Sequence, residues 1–187
     1  MKFSGLCVLA ISTMLVARVA MCDPIPPAAE LYRQGSAAYD RRDYQVAIRL
    51  WQRAAYAGSI AAMERLAAAY GLGKGVPEDD TISLNWHKLA AEAGDESAMV
   101  TLGLLYRTHP DLPHGDTLSV YWLGQAAGRG SGPAMFALGG FNREGKGLPQ
   151  DCAMARRWYE ESVAAGDSDA KEYLTGDVLC QIGRAHV

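Results

Sequence analysis

An excess of positive charge is missing from this sequence, and so are paired metal-binding motifs and long apolar runs. Lysine and arginine total 18 against 21 acidic residues, a formal net charge of −3. Without a basic cluster there is no electrostatic footprint for nucleic acid or for anionic lipid. The four cysteines, Cys7, Cys22, Cys152 and Cys180, form no Cys-x-x-Cys pair, and no His-Glu-x-x-His occurs. His87, His109 and His114 lack zinc-site spacing. No Gly-x-Ser-x-Gly elbow offers a nucleophile. The expectation is therefore no metal, no cofactor and no catalysis.

One apolar run does occur, and it is short. Lys2 precedes Leu6 to Val16, Arg18 interrupts, and Asp23, Pro24, Pro26 and Pro27 close the segment. A spanning helix needs roughly 20 apolar residues. A positive start, a short apolar core and small residues such as Ala20 and Cys22 instead predict a secretory signal over 1–22, with a linker over 23–27. Cleavage near Ala17 is an alternative. A lipid anchor at Cys22 is another, with Val19 and Ala20 in its favour and Met21 against it. The chain is thus expected in the periplasm or secreted. At the other end, Ile182 to Val187 reads as the translation of a sequencing adapter, so 182–187 is expected to be foreign and is set aside.

What the chain has in abundance is periodicity. Trp86, Trp122 and Trp158 recur every 36 residues, and so do Leu66, Leu102, Leu138 and Leu174. Ala62, Ala98, Ala134 and Ala170 keep the same interval, as do Gly58, Gly94, Gly130 and Gly166. Four registers sharing one period mark a repeat protein. Within a period, Ala62, Leu66 and Tyr70 lie on one helical face, as do Ala98, Leu102 and Tyr106. Ile82, Trp86, Leu89, Ala90 and Ala93 predict the buried stripe of a second helix. The recurring glycine suits a left-handed helix stop. The residues after it, Ser59, Asp95, Ser131 and Asp167, suit N-caps, and Asp79 and Asp151 suit caps for the second helices. The turn between helices reads Gly73-Lys74-Gly75-Val76-Pro77 and Gly145-Lys146-Gly147-Leu148-Pro149, replaced by His109-Pro110-Asp111-Leu112-Pro113 in the middle copy. Gly140 to Lys146 has the spacing of a phosphate loop, but without the following Ser or Thr and without a preceding strand. It is read as part of the repeat.

These residues resemble the Sel1-like repeat family, a relative of the tetratricopeptide repeat. Copies are expected at 60–95, 96–131 and 132–167, with a fourth begun at 168–181. The stretch 28–59 resembles a shorter tetratricopeptide-type unit through Gly35, Ala38, Tyr44, Ala47, Trp51 and Ala54. The predicted fold class is all-α, a right-handed superhelical solenoid of antiparallel helix pairs, in which the tryptophans and alanines form the core. Cys152 and Cys180 fall on one rim of such a stack, as a disulfide or as two unpaired thiols.

The resemblance implies a scaffold that binds a protein or peptide on a concave face lined by the first helices. Alternatives are a cell-envelope hydrolase acting on cell wall or β-lactams, and a regulatory subunit of a membrane complex. If Leu66, Leu102 and Leu138 face the core, positions two before and two after them turn toward the concave side. That selects Glu64 and Ala68, Val100 and Leu104, and Phe136 and Gly140. Arg107 and Arg143 follow one turn on, and Tyr32, Ser36 and Tyr39 come from the first unit. Two arginines at such an edge would suit carboxylates.

Overall fold

A computed structural model describes residues 26–109 and 114–174. Among these, every regular element is helical: α1 (Ala28–Asp40), α2 (Tyr44–Tyr56), α3 (Ile60–Gly71), α4 (Asp80–Glu92), α5 (Glu96–Thr108), α6 (Gly115–Ala127), α7 (Gly132–Glu144), α8 (Cys152–Ala164) and α9 (Lys171–Leu174). Each helix packs on its chain neighbours, more closely within a pair (α1/α2, α3/α4, α5/α6, α7/α8) than between pairs. The result is a solenoid of successive helix pairs. The expected signal over 1–22, residues 110–113 of the middle-repeat turn, Cys180 and the expected foreign tail over 182–187 lie outside the described residues.

Local sequence accounts for the boundaries. Gly58, Gly94, Gly130 and Gly166 all have φ between 89° and 98°, a region that a Cβ disfavours. The Ser59 hydroxyl accepts from the Ala62 N–H at 3.3 Å, and the Asp95 carboxylate accepts from Ala98 at 2.6 Å. Asp79 caps α4 through Ile82, and Asp151 caps α8 through Ala153 and Met154, each at 2.9 Å. Ser131 occupies the N-cap of α7 but its side chain accepts nothing there. Pro133 in the first turn lacks an N–H in any case, which leaves one fewer donor there to satisfy. Asp167 bonds the Asp169 N–H instead of opening a long helix.

The core follows the repeat. Leu66, Leu102, Leu138, Trp51, Trp86 and Trp122 are buried, with the register alanines between them. Trp158 is only half-buried, at the edge of the stack. The stripe expected on the second helix needs rotating. Ile82 and Ala93 are exposed, and Leu89 is 44% exposed, whereas Ser83, Trp86, His87, Ala90 and Ala91 turn inward. Small residues set the approach within a pair. A Cβ on Gly35 would lie 2.5 Å from the Trp51 ring, one on Gly103 2.6 Å from Leu123, and one on Gly139 2.6 Å from the Tyr159 ring. Serine hydroxyls clamp the same interface, Ser83 donating to the Ala67 carbonyl at 2.8 Å and Ser119 to Gly103 at 2.6 Å. The segment with phosphate-loop spacing is the end of α7 and its left-handed stop at Gly145. No phosphate cradle exists there.

Candidate functional site

The faces of the first helices, α1, α3, α5 and α7, meet across repeat boundaries. The Arg65 guanidinium on α3 lies near the Tyr32 hydroxyl on α1, which raises its pKa. Arg107 on α5 reaches over the Phe141 ring of α7, 5.6 Å from its centroid, beside Gly140. Side chains thus link first helices at two of the repeat boundaries.

The sequence-selected residues are distributed unevenly along these helices. Val100 is half-buried, while Leu104 and Arg107 are exposed, so the α5 stretch presents an apolar residue and a cation together. Glu64 is half-buried between repeats, and burial, then the charge of Asp95, push its carboxyl up. Tyr32 is half-buried against Arg65, and the Ser36 hydroxyl is buried with no hydrogen-bond partner among the described residues. Tyr39 stacks between Tyr44 and Trp51, at 5.1 and 5.3 Å between ring centroids.

At the C-terminal end, Phe136 belongs to an aromatic cluster with Tyr159 and Tyr173, 5.6 and 5.2 Å away. Arg143 is committed there as well. Its side chain is 19% exposed, it lies over the Tyr173 ring, and it pairs with Glu144 at 3.1 Å. Burial acts to raise the Glu144 pKa, but hydrogen bonds from Arg143 and Lys146 overcome it and hold the carboxyl below its ordinary range. Arg107 and Arg143 therefore differ in kind, one an exposed cation and the other a half-buried partner of a carboxylate.

The structure adds a feature that projection from the leucines missed. A cleft of about 30 Å³ opens between the first two pairs, lined by Tyr39, Trp51, Arg65, Ala68, Ala69, Leu72 and Lys74. Arg65 stands one residue before Leu66, where the equivalent positions are Thr101 and Ala137, so a charge in this register is its sequence signal. Lys74 comes from the repeat turn. Sequence reasoning also missed Ser168-Asp169-Ala170-Lys171, which has Ser-x-x-Lys spacing. Ser168 and Lys171 are both exposed in the turn entering α9, where the Lys171 N–H bonds the Ser168 carbonyl at 3.2 Å.

Among the described residues no group of three or more His, Cys, Asp or Glu could hold a metal ion. No described helix is long and apolar enough to cross a membrane. Cys152, half-buried at the start of α8, is disulfide-bonded.

Against known proteins, the Sel1 repeat model matches residues 28–59, 60–95, 97–131 and 132–167. A crystal structure of a Sel1 repeat protein from Oxalobacter formigenes is 31% identical with a TM-score of 0.59, over 66% of this chain and 93% of that one. A protective antigen present in uropathogenic Escherichia coli strains, displaying an SLR fold, is 26% identical with a TM-score of 0.67. That match covers 84% of this chain but 34% of the antigen, so the chain spans about a third of that protein. No curated protein matches the chain.

Proposed function

This chain belongs to the Sel1 repeat family, and from that premise we propose that it is an exported scaffold holding a protein or peptide partner on the concave face of its first helices. The Sel1 fold is generally a protein–protein interaction scaffold. The observation that supports the specific reading is that exposed arginines of one first helix reach the neighbouring first helix at two repeat boundaries, Arg65 to Tyr32 and Arg107 over Phe141. Such a face, spread over successive repeats, suits an extended partner. Export rests on the segment 1–22, with a lipid on Cys22 as the alternative form. Pairing of Cys152 with Cys180 would suit an oxidising compartment.

Crosslinking in intact host cells, followed by fractionation, tests the reading. A processed form outside the cytoplasm should carry a protein adduct, and Leu104→Ala combined with Arg107→Ala should lose most of it while the helical signal and melting temperature stay near wild type. These two are chosen because they are exposed. Tyr39 and Phe136 pack against other rings, so truncating them would test packing. Undiminished capture by the double variant, or protein found only unprocessed in the cytoplasm, would sink the proposal.

A further inference from the structure

The cleft between the first two helix pairs has a polarity opposite to that of the whole chain. Its two charged lining residues, Arg65 and Lys74, are both cations, in a protein of formal net charge −3. Neither enters an ion pair within 4.0 Å among the described residues. Arg65 is exposed beside the Tyr32 hydroxyl, and the charge of the adjacent Glu64 also acts on it, without an ion pair between them. Trp51 lines the same cleft, and its indole N–H is buried without an acceptor. No carboxylate lines it. The walls are otherwise apolar, through Tyr39, Ala68 and Leu72, and Leu72 at the edge is 66% exposed.

Size narrows the occupant. A volume of about 30 Å³ admits one small group, on the order of a single water or carboxylate. We propose that this cleft anchors an acidic side chain of a bound peptide, with Arg65 and Lys74 taking the carboxylate and Leu72 taking a neighbouring apolar side chain. The proposal rests on the scaffold reading and assigns its partner a chemistry: an extended segment in which Asp or Glu alternates with apolar residues. Exposed Arg65 and Lys74 attract the carboxylate from solvent, and Ala68 and Leu72 beside them give the neighbouring apolar side chain a surface to cover.

Fluorescence anisotropy on the purified full chain tests it, using a labelled octapeptide of alternating Glu and Leu, amidated at its C-terminus. The wild type should bind this peptide and bind it more weakly as salt rises. Arg65→Gln and Lys74→Gln should each weaken it about tenfold, while the corresponding Gln/Leu peptide should bind weakly to all three proteins. Circular dichroism would verify that the variants remain folded. Equal affinity for the Glu and Gln peptides, or unchanged affinity in both variants, overturns the proposal. So does displacement of the peptide by millimolar inorganic phosphate, which would make the cleft a general anion site. None of these results touches the wider scaffold reading, whose test is capture in cells with Leu104 and Arg107 varied.

Discussion

The position after each repeat tryptophan shows how one residue can break a pattern. Leu123 follows Trp122, Tyr159 follows Trp158, and both are almost fully buried. His87 holds the same register after Trp86. Its imidazole is only half-buried, and its Nδ1 has no hydrogen-bond partner among the described residues. Burial holds its pKa below the ordinary value of 6.5. The unfolded chain then binds more protons than the folded one below about pH 6.5. Stability is full above that value and declines as pH falls toward the folded-state pKa. Melting temperature measured between pH 7.5 and 5 should therefore fall more steeply for the wild type than for His87→Gln, which keeps a polar side chain but does not titrate. Parallel curves would show that His87 contributes nothing to acid sensitivity.

At the scale of the element, the repeat turn is more than a connector. Gly75 has φ +81°, and a Cβ there would lie 2.5 Å from the Tyr44 Cβ. Gly147 has φ +65°, with the Asp116 backbone oxygen at 3.0 Å from the same imagined atom. Each turn thus seats its second glycine on the start of the preceding pair's second helix, and Gln45 adds a hydrogen bond to the Gly75 carbonyl. Gly75→Ala combines left-handed backbone strain with a clash, and should cost about 1–3 kcal/mol in urea unfolding. Gly73→Ala, where the nearest neighbour is at 3.4 Å, should cost less. Equal losses at both positions would show that φ alone matters and that the contact with Tyr44 does not. The glycines were legible in the sequence as turn residues, because spacing reports backbone needs well. Their neighbours were not, because a long-range contact leaves no local period. For the same reason the leucine register located Leu104 and Arg107 on an exposed face, yet gave no sign that Arg143 is tied to Glu144 or that Lys74 joins Arg65 at a cleft. Leu89 misled by composition, since an apolar residue at helical spacing can still face solvent when the helix is buried on one side only.

Across the whole molecule, packing between chain neighbours makes the fold nearly one-dimensional, and stability should vary along it. The main core runs continuously from Leu31 to Phe141. Beyond it lies a separate small cluster of Ala155, Tyr159 and Ala170, edged by Phe136, Val163, Tyr173 and Leu174. α8 is thus held by α7 on one side and by the four-residue α9 on the other. Few buried apolar contacts mean a low local opening free energy. In native-state hydrogen exchange, amides of α8 should exchange faster than those of α3 and α5, which have neighbouring pairs on both sides. Gly139→Ala sharpens the test, because its Cβ would meet the Tyr159 ring at 2.6 Å and press α8 away from α7. The variant should accelerate exchange in α8 and leave α1 to α4 at wild-type rates. Uniform acceleration along the chain would mean that the solenoid opens as a single cooperative unit, and the division into two cores would then have no energetic meaning.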